Sequence, residues 1–368
     1  MQDTQFETLL SAFACLIFAC LIFACLCYAD QGQGGDTLIL IIDIGNTNIK
    51  FTGIAGFSQE GKRASENPDF SLLFEEKLPT ASGKDVGEFL QQAELLLGPH
   101  GISFGQGKTV QAVAISSVVP ADTPAAVCLA EKICAAPPVV ISCRSDSGLS
   151  FEGLPAPDKV GTDRIADAAW AAACYPLPAM TVDLGTATTI NVIGPAEGEA
   201  DGKAEAAEQA VKDGRVEQRE FPGKKADSIE KCGPARCDDM LRPGLRGVFL
   251  GGMIGAGVST SLHALRTGTA QLPALEPRAV PPENLIGIDT DGCMLSSAIV
   301  GTAAMIEGLA SRVEEQLGRP VTLILTGGNA RYVSPWIRRP FVYESSLASK
   351  GTAVIALREL SDNKEKTF

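Results

Sequence analysis

The chain has 368 residues, 45% of them hydrophobic, which is enough for two domains of ordinary size, and nothing in its bulk composition suggests disorder. Its formal net charge of -13 would repel a phosphate backbone, and no basic stripe with interleaved aromatics overrides that field, which argues against nucleic-acid binding. With only His100 and His263 present, histidine chemistry has little to work with, so any general base is expected to be a carboxylate.

In chain order, Leu9 to Ala29 is uninterrupted by charge and long enough to span a bilayer, as a signal peptide or an anchoring helix would. Against that reading, Asp3 and Glu7 precede it with no Lys or Arg, whereas a secretory leader begins with a positive region. The segment also repeats. Phe13-Ala-Cys-Leu-Ile17 recurs from Phe18 to Ile22 and again, ending differently, from Phe23 to Cys27, a period that matches no packed repeat. Residues 1–36 are therefore expected to lie outside the working protein, which would be cytoplasmic, with a membrane tether as the alternative. The eleven cysteines have no zinc spacing: Cys25-Leu-Cys27 and Cys232 with Cys237 do not make a paired ligand set. Free thiols in a reducing compartment are expected.

From Thr37 the apolar run Leu38-Ile-Leu-Ile-Ile42 ends in Asp43-Ile-Gly-Asn-Thr-Asn48, a buried strand entering a tight turn, and Ile49 to Ile54 continues as a second strand. A strand from Val110 to Val119 follows, then a helix through about Cys134, a strand from Pro138 to Ser142 and an Ala-rich helix from Arg164 to about Cys174. The opening unit then recurs: Met180 to Ile193 is an apolar strand, an Asp183-Leu-Gly185-Thr186 turn and a β-branched strand. Residues from about Gly194 to Arg246, rich in Glu, Lys, Gly and Ala, read as a solvated insertion between two strands of a hairpin. A helix near Ser259 to Arg266, a long helix from Leu295 to about Leu317, a strand from Val321 to Leu325 closing on Thr326-Gly-Gly-Asn329 and a terminal helix complete the chain. Two halves that begin alike predict a duplicated α/β architecture, divided into residues 37–178 and 179–360.

A turn of the form Asp-x-Gly-Asn-Thr between two strands suits nucleotides. Glycine lets backbone approach phosphate, successive amides make an anion-binding concavity, and the strand-end Asp can hold magnesium through water. Asp43, Gly45, Asn46 and Thr47 fill this pattern, Lys50 adds charge, and recurrence at Asp183, Gly185 and Thr186 strengthens it. The rival motif, Gly105-Gln-Gly-Lys-Thr109, lacks the leading glycine of a P-loop, since residue 102 is Ile, and its context is inverted, with a helix before it and a strand after. At Val160-Gly-Thr-Asp-Arg164, Thr162 or Asp163 could simply cap the helix. Alternatively, Asp163 takes the proton of an attacking alcohol and Arg164 holds an anionic or polar group of the substrate.

At both hairpins the chain resembles the superfamily of actin and hexokinase, which implies duplicated ribonuclease H-like domains with an interdomain cleft. Asp-x-Gly-Asn-Thr-Asn-x-Lys at 43 to 50, Ser-Ser-Val-Val-Pro at 116 to 120, Gly-x-Asp-Arg at 161 to 164, Asp-x-Gly-Thr-Ala-Thr-Thr at 183 to 189 and Thr-Gly-Gly-Asn at 326 to 329 follow the order of type III pantothenate kinases. That resemblance, over nearly all of residues 37 to 360, implies ATP-dependent phosphorylation of pantothenate, the first step of coenzyme A synthesis. It implies ATP with magnesium held by Asp43, Ile44, Gly45, Asn46, Thr47, Asn48, Ile49, Lys50 and Thr186. Pantothenate would be held by Gly161, Thr162, Asp163, Arg164 and Thr290, with Asp163 as proton acceptor. Asp183 would be the ligand of a required monovalent cation, potassium or ammonium. The resemblance also implies a homodimer with substrate near the subunit interface, and Gly327 and Gly328 beside the adenosine. One departure stands out: where the family has Gly-Gly-x-Ile-x-Pro-Gly, this chain has Gly251-Gly-Met-Ile-Gly-Ala256-Gly257, so a looser loop is expected there. The alternatives are a non-catalytic accessory protein of the same fold and a superfamily enzyme acting on another small substrate.

Overall fold

A computed structural model describes residues 37–56, 72–80, 85–104, 110–196, 244–281 and 284–365. The leader, the Gly105 to Thr109 segment and most of the expected insertion lie outside the described residues.

The first expected strand forms as β1 (Thr37–Ile44), and the turn after it returns the chain as β2 (Asn48–Gly56), followed by β3 (Leu72–Pro79). Ile39 to Ile42 are all fully buried, as a continuous apolar run in a strand covered on both faces should be. Helix α1 (Val86–Leu97), β4 (Ala112–Ser117), α2 (Thr123–Ile133) and the two-residue β5 (Val139–Val140) complete this half. The sheet runs β3-β2-β1-β4-β5, with β4 parallel to β1 and β5 parallel to β4. Leu40, Ile42 and Ile44 pack with Phe89 and Leu97 of α1 and Leu129 and Ile133 of α2. The expected strand from Val110 is shorter than foreseen: Val110 only bridges to Cys134. Segment 138–142 likewise yields two strand residues rather than five.

The second sheet repeats the plan. Its strands are β6 (Leu149–Ser150), β7 (Ala179–Leu184), β8 (Ala187–Pro195), β9 (Gly247–Ala256), β10 (Thr322–Thr326) and β11 (Val342–Tyr343). Their order is β11-β10-β7-β8-β9-β6. Strands β7, β8 and β9 form an antiparallel meander, and β10 and β11 extend in parallel from β7, as β4 and β5 do from β1. This is the duplicated ribonuclease H-like α/β fold expected from the paired turns. Pro195 pairs with Gly247, so the segment between them joins adjacent antiparallel strands, as the hairpin reading requires.

One expectation is corrected. Gly251 to Ala256, read as part of a loop, is strand: it runs in β9 against Val192 to Ala187 of β8, with a register shift beside Gly251 at φ 118°. Residue 252 has to be glycine at this approach, because a Cβ there would stand 1.8 Å from the Ile190 carbonyl oxygen. Local propensity reads glycine as loop, whereas the tight passage of β9 over β8 requires it.

The second sheet is covered by α4 (Val258–Gly268), α5 (Thr290–Leu317) and α6 (Ala330–Val333). Helix α5 is long and apolar enough to cross a membrane. It nonetheless buries Met294, Leu295, Ile299, Ile306 and Val313 in the core with Val182, Leu184 and Leu323. It starts five residues before the expected Leu295, because the Asp289 side chain caps it by accepting from the Gly292 amide at 2.7 Å.

Two helices join the halves. Helix α3 (Thr162–Cys174) touches β4 of the first sheet and β7 and β8 of the second, and α7 (Leu347–Glu365) packs along it. Every residue of α3 from Ile165 to Cys174 is buried, so its alanines serve close packing on all sides. At the crossing, a Cβ on Gly351 of α7 would lie 1.8 Å from the Ala166 carbonyl oxygen. The start of α7 reaches the first sheet, where Ser349 meets Thr52 of β2 at 3.1 Å.

Candidate active site

The duplication gives each half an aspartate at the same place. Asp43 is the next-to-last residue of β1 and faces Ser116 of β4 across the parallel pair, while Asp183 is next to last in β7 and faces Thr326 of β10. Each strand then turns. The first turn is held by the Gly45 amide donating to Asn48 at 3.0 Å and by Thr80, whose hydroxyl donates to the Gly45 carbonyl at 2.7 Å and whose amide donates to Thr47 at 2.9 Å. The second is clamped from three sides. Thr260 Oγ1 and the Gly257 amide donate to the Thr186 carbonyl at 2.6 and 3.1 Å, and Asn329 Nδ2 donates to the Gly185 carbonyl at 3.1 Å. The tips meet, with Thr47 Oγ1 and Thr186 Oγ1 2.9 Å apart. Asn46, Thr47, Asn48 and Thr186 are exposed there, whereas Ile44 and Ile49 are buried and anchor the first turn in the core.

The N-terminus of α3 enters beside these strand ends. Its cap residue is Gly161, without a side-chain cap bond, so neither Thr162 nor Asp163 is the cap that the sequence allowed. Instead, Thr162 Oγ1 lies 3.0 Å from Ser116 Oγ, tying the helix to β4 opposite Asp43. Asp163 Oδ1 accepts from the Arg164 amide at 2.7 Å, a use of the orphan donors at a helix start that orients the carboxylate. Arg164 reaches the other sheet, donating from Nε to Asn191 Oδ1 of β8 at 2.7 Å.

Sequence reasoning missed Asp167, one turn beyond Asp163 on the same face of α3, a spacing of four that could have flagged it. It is 2% exposed, and its Oδ1 has no hydrogen-bond partner among the described residues. Burial first, and then the charges of Asp183, Asp163 and Asp43, push its carboxyl well above the ordinary range. Asp43 is pushed up to about 6 by burial and by Asp163, against the opposing pull of Lys50 and a Ser116 hydrogen bond. Asp183 is likewise raised to about 6 by burial, with Asp163 and Asp43 adding to the rise and Lys50 resisting it. Burial also raises Asp163, offset by the amide and guanidinium of Arg164. Four mutually repelling carboxylates beside one lysine form the perturbed cluster expected where cations and phosphates are handled.

The fit to metal ions is specific in kind. Among the described residues, no group of three His, Cys, Asp or Glu side chains could enclose an ion. Separate carboxylates of this sort suit ions that complete their shells with water or phosphate oxygens, as magnesium does. Gly327, at φ 92°, keeps the space beside Asp183 open, since a Cβ there would stand 2.3 Å from Asp183 Oδ1.

Thr290 sits exposed at the start of α5, and no hydrogen bond among the described residues links it to Asp163 or Arg164. The five described cysteines, Cys128, Cys134, Cys143, Cys174 and Cys293, are not joined in disulfides.

Residues 39–203 and 230–312 match the family model of type III pantothenate kinase. The chain belongs to the type III pantothenate kinase family. The type III pantothenate kinase of Thermomicrobium roseum is 27% identical over 85% of this chain and 95% of its own length. That of Rhodospirillum rubrum is 28% identical over 88% of this chain and all of its own. Among solved structures, the ethanolamine utilization protein EutJ from Carboxydothermus hydrogenoformans aligns over 88% of this chain and 90% of its own, with TM-score 0.41 and 11% identity. In this pantothenate kinase the family motifs fall on the two strand turns, the α3 N-terminus and the β10 end, all within one cluster.

Proposed function

We propose that this chain transfers the γ-phosphoryl group of ATP to the primary hydroxyl of pantothenate, with Asp163 as the proton acceptor. The observation that carries the reading is the meeting of the two strand turns at Thr47 and Thr186, with the α3 N-terminus and its Asp163 beside the same strand ends. The hydroxyl oxygen forms the new bond to the γ-phosphorus, the bond to the β,γ-bridging oxygen breaks, ADP leaves, and the hydroxyl proton passes to Asp163. Burial raises the Asp163 carboxyl toward working pH, which favours proton acceptance. The turn from Asp43 to Lys50 and Thr186 bind the nucleotide through exposed amides and hydroxyls. Gly161, Thr162 and Arg164 orient pantothenate, Arg164 through the substrate's carboxylate. Bound magnesium would supply charge neutralisation on the phosphates, held through water by Asp43, and Asp183 would hold the monovalent cation.

A coupled assay of ADP release tests this reading. Turnover is expected to require pantothenate and magnesium and to be faster in potassium than in sodium. ADP release that ignores pantothenate, or none from folded protein, would overturn it.

We also assign this kinase a homodimeric state. Ile286 and Ile288 are 82% and 96% exposed on the segment leading into Thr290, with Leu250, Ile254 and Leu265 also exposed on β9 and α4. Apolar side chains so bare are what a subunit interface covers, and Thr290 would then lie at the subunit boundary, where the substrate binds. Ile288→Glu should halve the mass measured by light scattering and weaken pantothenate binding; equal masses for variant and parent would refute this interface.

A further inference from the structure

Arg164 stands between two carboxylates of its own helix, Asp163 and Asp167, both of which attract it. Left to the pull of these two carboxylates, the guanidinium would be drawn toward its own helix and away from the substrate. It is drawn away by the second sheet. Asn191 Oδ1 accepts from Arg164 Nε at 2.7 Å, and the guanidinium lies 5.5 Å over the Phe249 ring of β9. Asn191 is fully buried, and its Nδ2 donates to Thr181 Oγ1 of β7 at 3.0 Å, which fixes the amide so that oxygen faces the arginine. Gly252 leaves room for the group, since a Cβ there would approach Arg164 Nη2 to 2.8 Å. Neither Nη nitrogen has an acceptor among the described residues. A neutral amide thus takes one donor without cancelling the positive charge.

We infer that Asn191 is a positioning residue for substrate binding: with Thr181 it holds the Arg164 guanidinium off Asp163 and presents its Nη edge to the carboxylate of pantothenate. This rests on the reading of Arg164 as the group that meets pantothenate, and the test separates the two. Asn191→Leu, Asn191→Asp, Arg164→Ala and the Asn191→Leu/Arg164→Ala double variant are compared by steady-state kinetics. Loss of a charge-assisted bond predicts that Asn191→Leu raises KM for pantothenate about tenfold or more, with kcat and the KM for ATP changing far less. Asn191→Asp is also expected to raise KM, since a carboxylate there would pair with the guanidinium and cancel the charge that meets the substrate; a parent KM in that variant would count against the neutral amide's role. The double variant should be no worse than Arg164→Ala. A merely structural role would lower melting temperature and active fraction without moving KM. If Arg164→Ala raises KM while Asn191→Leu does not, the inference falls and the reading of Arg164 stands; if Arg164→Ala leaves KM unchanged, both fall. Should Asn191→Leu not fold, Thr181→Val frees the amide to rotate, and an unchanged KM there would count against the inference equally.

Discussion

Asp163→Asn is expected to slow phosphoryl transfer to pantothenate by about a hundred- to ten-thousand-fold, the usual worth of a general base, with ATP affinity nearly intact. The amide keeps the size of the carboxylate and can still accept from the Arg164 amide now bonded at 2.7 Å, so the helix start should hold its shape. What is lost is the ability to take the hydroxyl proton. Stability gives an independent readout with a definite sign. The Asp163 carboxyl is raised in the folded state, chiefly by burial, so its stabilising contribution is complete below the unfolded value near 3.8 and is lost as pH rises through the folded value. The Asn variant has no charge to bury. At pH 8 it should melt at or above the parent temperature, and the gap should close as the pH falls toward 4. Single-turnover kinetics and calorimetric ATP titration check the first part, and melting across pH the second. Turnover within a few-fold of the parent would move the base elsewhere in the carboxylate cluster.

Gly351→Val should cost stability and activity together. Its Cβ would fall 1.8 Å from the Ala166 carbonyl oxygen and 2.4 Å from the carbonyl carbon. Both are backbone atoms of a buried helix, so no rotamer change can relieve the clash. Overpacking of this kind costs about 1–3 kcal/mol, and more where backbone must move. Because α3 carries Asp163 and Arg164 at its N-terminus, prying it from α7 also displaces the proposed base and substrate clamp. Gly301→Ala is the control: it lies on α5 with nothing within 4 Å of its Cβ, and helix propensity predicts a gain of about 0.5–1 kcal/mol. Urea denaturation of the two variants distinguishes them. A Gly351→Val protein as stable as its parent would mean that the helices do not approach so closely.

The parts of the site that could be read in advance are those encoded over a few consecutive residues. An apolar strand, an Asp-x-Gly turn and a second strand complete themselves locally, so Asp43 to Lys50 and Asp183 to Thr186 were legible, and their recurrence announced the duplicated sheets. Asp163 and Arg164 were legible as a helix start but not as to role, since a cap and a base use the same residue types. Asn191 and Thr181 were not legible at all: a Thr and an Asn on β-branched strands carry no signal until β7 and β8 pair and α3 lies over them. Gly252 was misread because its need for a missing side chain arises from Ile190 and Arg164, which are distant in sequence.

By itself, then, the sequence determined the two strand turns, the alternation of strands and helices, the family and the reaction it implies, because these rest on short-range patterns and ordered motifs. Only the tertiary structure decided that α3 bridges both sheets, that Asp167 joins the carboxylates, and that Arg164 is held by β8. Those depend on which distant surfaces come together, and close approach is set by packing of backbone against backbone, where a single absent Cβ at residue 252 or 351 permits what no local propensity records.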